Sequence, residues 1–161
     1  MKNFKKLLLV AVAALSFAAC GDDDDKKKDP TPKVNVSTFN GTFTVSWGKF
    51  SMDNIDVQTS CDDATKLCQI KLNSVTFSDK MPMQMDLVID SVSFSANNGD
   101  TTLVGANLTP SAVMNGQTMN AGFPISAING KISNGKLTLS LDGTYTQMSM
   151  NMTLGYEGTR K

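Results

Sequence analysis

The sequence predicts an all-β fold, a small antiparallel β-barrel of eight or nine strands, and three observations carry that prediction. Beyond Lys33 the apolar residues recur at period two, and nowhere at the three-and-four spacing of a helix. Turn signals rich in Asn and Gly separate the alternating runs at short intervals. In two of the runs the apolar parity flips partway, the mark of an extra residue that bends neighbouring strands toward closure. Residues 34–161 are enough for one domain with a hydrophobic core of its own.

Taken in order, Gly41 to Trp47 alternates cleanly, with Phe43, Val45 and Trp47 on one face. Met52 to Val57 follows as a weaker strand with Ile55 and Val57 in phase. Cys68 to Phe77 places Ile70 and Leu72 on one parity and Val75 and Phe77 on the other, which predicts a bulge near Asn73-Ser74. Met81, Met83, Met85, Leu87 and Ile89 share a face before Val92 and Phe94 take over, so a second slip is expected at Asp90-Ser91. Asn97 to Asp100 reads as a turn, Thr101 to Leu108 as a strand and Thr109 to Gln117 as loop. Pro124 confines Ala121 to Gly130 to an edge, a strand start or a bulge at that point. Asn134-Gly135 predicts a type I′ hairpin turn, because clean alternation of Leu137, Leu139 and Leu141 follows at once. Asn129-Gly130 is too close to it for a second hairpin and reads as a bulge. The last strand, Gln147 to Gly158, sets Met148, Met150, Met152, Leu154 and Tyr156 on one face.

Upstream of the domain, Lys2, Lys5 and Lys6 precede an apolar run from Leu7 to Leu15, too short to span a hydrocarbon core of ~30 Å. Residues 1–19 therefore read as a cleavable signal peptide. Phe17-Ala18-Ala19-Cys20 resembles the bacterial lipobox, which implies that Cys20 is lipidated and becomes the new N-terminus. An ordinary secretory signal with a chance cysteine is the alternative. A doubly lipidated terminus would supply the two or more lipid signals that stable anchoring needs. Residues 20–33 then form a disordered tether: Asp22, Asp23, Asp24 and Asp25, three lysines and a Pro-Thr-Pro segment contain no apolar side chain to fold around. From Gly21 to Lys33 this reaches at most ~45 Å. The acidic run directly after Cys20 resembles the surface-export signal of lipoproteins from Gram-negative gut anaerobes; a plain spacer is the other reading. The expected location is the outer membrane, lipid-anchored and facing the cell exterior.

Loss of the leader removes three of the 15 basic residues and none of the 15 acidic ones, leaving a net charge of −3. No basic patch points to nucleic acid. The chain has no histidine, which removes the commonest general base and metal ligand together. Asp53, Asp56, Asp86 and Asp90 are the carboxylates that could pair, and a solvated barrel exterior is the expected place for all four. The chain is therefore read as no enzyme, with no catalytic residues and no cofactor. Cys61 and Cys68, an even pair in an exported chain, read as a disulfide clasping a hairpin end; a metal pair is the weaker alternative. The two Met-x-Met-x-Met runs put thioethers on one side of a strand, the pattern of a pliable barrel interior or, as a distant alternative, of a Cu(I) site. Phe43, Trp47, Met83, Met85, Leu87, Leu139, Met150 and Met152 are the candidate interior or ligand-lining residues.

The opening Gly41-Thr42-Phe43-Thr44-Val45, the Leu72 to Ile89 middle and the Ile128 to Leu137 close together resemble the calycin-like, lipocalin-related β-barrel lipoproteins. The resemblance implies such a barrel on a lipid tether. Phe43 stands where the lipocalin Gly-x-Trp signature has its Trp, so no particular ligand is carried over. The expected function is binding of a small-molecule, glycan or lipid ligand in the mouth or on the wall, without chemistry. The alternative is an accessory or structural lipoprotein that docks to an outer-membrane protein partner.

Overall fold

The computed structural model describes residues 33–46, 49–81 and 83–161. The leader, Cys20, Asp22 to Asp25 and Trp47 lie outside the described residues. The chain runs β1 (Val34–Val45), β2 (Phe50–Asp62), β3 (Leu67–Val75), β4 (Met85–Asn97) and β5 (Asp100–Leu108). It continues through β6 (Ser111–Met114), β7 (Gln117–Asn120), β8 (Ile125–Ser133), β9 (Lys136–Tyr145) and β10 (Met150–Arg160). Eight of these strands close into an antiparallel barrel in the order β1, β2, β3, β4, β5, β8, β9, β10, with β10 returning to β1. The remaining two, β6 and β7, form a hairpin outside the ring.

That hairpin corrects the expectation of a loop over Thr109 to Gln117. The upper part of one β4 edge, Ser93 to Asn97, pairs with β5. The lower part, Asp86 to Val88, is left free as β5 turns away to β8, and β6 pairs with it through Ser111 to Val113. The hairpin thus caps what would be an open sheet edge, whose unpaired N–H and C=O groups invite association with other chains. Its turn is Asn115-Gly116, both residues at positive φ (50° and 75°), as a type I′ connection requires.

Asn98-Gly99 and Asn134-Gly135 have the same conformation and tip the β4–β5 and β8–β9 hairpins. The two expected bulges are present. Between Leu72 and Val75 the pairing with β4 slips by one residue, and Ser74 takes a φ of 54°; a second slip falls between Cys68 and Ile70, where Ser91 of β4 takes a φ of 61°. Asn129-Gly130 is not a bulge. Its pairing with Ser140 and Leu139 is continuous, and the β8 irregularity lies earlier, between Ile125 and Ala127. Glycine stands at Gly130 for another reason: a Cβ there would lie 2.5 Å from Leu139 Cδ2 and 3.2 Å from Leu103 Cβ.

The barrel is filled by its own side chains. Phe39, Phe43, Leu72, Leu87, Ile89, Leu103, Leu137, Leu141 and Leu154 are all fully buried on the inward parity of six different strands. Tyr156 lies among them, and its hydroxyl donates to the Ile55 carbonyl at 3.2 Å. Burial pushes the Tyr156 phenol up to about 12, and the nearby Asp56 charge acts in the same direction. The ring has room to lie across the β1–β10 seam because two glycines, Gly41 and Gly158, face each other directly beneath it.

Candidate functional site

With the centre filled, concave surface is found at the two ends of the barrel and on its wall. At the end where Lys33 leads into β1, a cup of about 520 Å³ opens between the strand ends. Its inner surface is made by Thr59 and Cys61 of β2, Phe94 of β4 and Ile132 of β8, all buried or at the edge of burial. The rim carries Val34 and Val36, 53% and 56% exposed, together with Asn35, Asp63 and Arg160. The recess is mixed in character: Cys61, Phe94 and Ile132 form an apolar patch among the polar side chains of Asn35, Ser37, Thr59 and Thr101 and the charged Asp63 and Arg160.

The rim is held in place by local bonds. Asn35 donates to Asp63 at 2.8 Å, and the Asp63 amide donates to the Lys33 carbonyl at 3.4 Å. Lys66 sits 5.4 Å over the Phe94 ring and 3.5 Å from the Asp63 carboxylate. The Arg160 guanidinium stacks 5.6 Å over Phe39, and no carboxylate among the described residues pairs with it. It is therefore a cation at the cup with donors to spare, since a guanidinium carries five N–H groups.

The disulfide between Cys61 and Cys68 belongs to the same end. The two residues are direct partners across β2 and β3, with Cα atoms 4.0 Å apart, so the bond clasps the hairpin just below its turn. Cys61 also faces the cup.

At the opposite end lies a smaller pocket of about 210 Å³ between the start of β4, the β6–β7 hairpin and the β9–β10 turn. Met81, Met83, Met85, Met114 and Met119 all line it, half of the chain's ten methionines. Of the candidate lining residues, Phe43, Met85, Leu87, Leu139 and Met152 are buried in the barrel and Met150 is half-buried at its edge. Met83 is not interior: it precedes β4, is 47% exposed and faces this outer pocket. Met148 likewise lies in the turn before β10 and is 56% exposed, so the second Met run does not line the barrel along its full length. On the outer wall, Thr42, Thr44, Thr138 and Ser140 flank Gly155 in a hydroxyl-lined trough of about 410 Å³.

The four candidate carboxylates hold the outside of the barrel together. Asp86 accepts from the Ser74 amide at 3.0 Å, satisfying the bulge, and from Lys71 at 2.8 Å. Asp56 accepts from Asn40 and from Lys161, each at 2.8 Å, and Asp53 accepts from Thr42 at the same distance. Asp90 accepts from Gln69 at 2.7 Å.

These partners set the acid response. The Lys161 and Asn40 hydrogen bonds hold Asp56 below the ordinary value of 3.8, and Lys131 with Ser133 does the same for Asp100. For Asp86, partial burial pushes upward, but the Lys71 and Ser74 bonds together outweigh it and the net shift is down. A carboxyl whose folded pKa is depressed stabilises the fold above its unfolded value and loses that contribution as the pH falls through the folded one. Stability is therefore expected to hold from neutral pH to about 4 and to decline below it. In urea melts the gap between wild type and Asp86→Asn should narrow as the pH falls below about 4; curves that stay parallel would contradict this assignment.

The cup could not be read from the chain, because it gathers single residues from the ends of separate strands. The hairpin that supplies Met114 and Met119 did leave a signal, the pair Asn115-Gly116. The fold and its recesses define a small closed antiparallel β-barrel with a filled centre and a mouth of mixed polarity. No protein-family model, curated protein or solved structure matches the chain.

Proposed function

We propose that the protein is a surface-tethered lipoprotein barrel, related to the calycin-like family, that binds a small amphiphile without chemistry. The observation that carries this reading is the cup: an apolar patch of Cys61, Phe94 and Ile132 beneath the Arg160 cation, which has no carboxylate partner among the described residues. An alkyl or ring portion would seat on the lining, where each buried CH₂ is worth ~0.8 kcal/mol. A carboxylate or phosphate head would meet Arg160, whose planar fork matches such groups two bonds at a time. On the lipobox reading, Cys20 holds the chain to the outer membrane, and the acidic run Asp22 to Asp25 directs it outward. On this reading the tether joins the barrel at Lys33, whose carbonyl accepts from the Asp63 amide beside the cup, so the recess would lie at the tethered end.

A second reading, docking to an outer-membrane protein, is favoured by the filled interior together with exposed Val34 and Val36 on the same rim. Native mass spectrometry of the full chain, extracted in detergent from its own host, distinguishes them. A co-purifying small amphiphile, lost in an Arg160→Ala variant, is the expected result. A co-purifying protein would favour docking, and bare protein would overturn the binding reading.

A further inference from the structure

We propose that the methionine pocket is a binding site for a soft monovalent metal ion, Cu(I) or its redox-silent analogue Ag(I). The inference goes beyond the amphiphile reading and uses the opposite end of the barrel.

Five methionines from three separate places in the sequence line one pocket. Met81, Met83 and Met85 arrive on the approach to β4; Met114 ends β6, and Met119 lies in β7. Packing alone explains Met85, which is 6% exposed and part of the barrel core. It does not explain Met83 and Met119, which leave 47% and 40% of their surface in water. Hydrophobic fill gains little from side chains so exposed, whereas sulfur that must meet an incoming ion has to remain reachable.

The chemistry of the lining narrows the ion. The remaining walls are neutral, formed by Ala112, Asn120, Ala121, Tyr145 and Gln147, and among the described residues no carboxylate, imidazole or free thiol lines the pocket. Hard divalent ions need oxygen ligands and charge compensation, and neither is offered there. Thioethers are soft and uncharged, and select Cu(I) among biological metals. A single positive charge held by neutral sulfur keeps the desolvation cost lower than a double charge would. The hairpin that brings Met114 and Met119 to the pocket is pinned to β4 by main-chain pairing, so the backbone of those two residues is positioned by the sheet. Tyr145 donates to Gln147 at 2.8 Å and fixes the opposite lip.

The test uses the full chain with methionine methyl groups labelled for NMR and titrated with Ag(I). The methyls of Met81, Met83, Met85, Met114 and Met119 are expected to shift together to a one-to-one end point, while those of Met52 and Met152 stay in place. Cu(I) competition with a chromophoric chelator should give sub-micromolar affinity. The double variant Met83→Leu with Met119→Leu keeps volume and fold, since Leu and Met exchange at small cost, and should weaken binding at least tenfold with an unchanged thermal midpoint. Affinity no tighter than micromolar, scattered shifts without an end point, or undiminished binding in the double variant would each overturn the proposal.

Discussion

Replacing Gly41 by alanine is expected to destabilise the barrel by about 3 kcal/mol, at the upper end of what overpacking usually costs. Gly41 faces Gly158 across the β1–β10 seam, where the chain's first barrel strand meets its last. A Cβ on Gly41 would run into the Glu157 carbonyl and the Gly158 Cα, and both are backbone atoms of the partner strand. Neither can rotate aside. The seam would have to spread, which would also disturb Tyr156, whose ring spans it to reach the Ile55 carbonyl. Gly105 is the natural control. A Cβ there meets only the Ile128 and Leu108 side-chain ends, at 2.6 and 2.8 Å, and those can adjust. Urea melts should therefore show a large loss for Gly41→Ala, a much smaller one for Gly105→Ala, and the same denaturant slope for both. Equal losses would show that the seam is not a point of close backbone approach.

Removing the Cys61–Cys68 bond as the double alanine variant is expected to cost about 2–3 kcal/mol, the loop-closure value for a short loop. The two residues are in register with the disulfide formed, so the cross-link restrains the unfolded chain without demanding a shift in β2 or β3. A reducing agent should lower the stability of the wild-type protein by a similar amount and leave the double variant unaffected. Stability indifferent to reductant would mean that the bond does not form in solution. The variant also trims the lining of the cup at Cys61, so ligand retention should fall along with stability.

Much of the barrel was legible in the chain because two local rules act without tertiary help. The Asn98-Gly99 and Asn134-Gly135 turns follow from backbone preference alone, and both are where the alternation placed them. The parity flips at Ser74 and Ser91 are likewise local, since one extra residue reverses every following side chain. Features set by packing were not legible. Gly130 looked like a bulge, yet it is glycine because a Cβ there would be hemmed in by Leu139 and, at 3.2 Å each, by Leu103 Cβ and the Thr138 backbone carbonyl, which cannot rotate aside. The β6–β7 hairpin was missed because β7 is exposed along its whole length and therefore lacks a hydrophobic alternation. Its Asn115-Gly116 turn was the available sign. The start of β1 was missed for a related reason: Val34 and Val36 do not face the core, and Phe39 is the first residue of the strand to do so.

The sites followed the same division. Met81, Met83 and Met85 stood out as a run, but their partners Met114 and Met119 come from the hairpin the pattern did not reveal. The cup gathers Phe94, Ile132 and Arg160 from three strand ends, and nothing about any one of them marks it as a lining residue.

The central claim is that binding takes place at the mouth of a barrel whose centre stays filled. Methyl NMR on the full chain, before and after addition of the amphiphile that co-purifies with it, tests that claim most directly. Shifts confined to Val34, Val36 and Ile132, with Leu72, Leu87 and Leu154 unmoved, are the predicted result. Large shifts at those three buried leucines would mean that the core opens to admit the ligand, and would contradict the account.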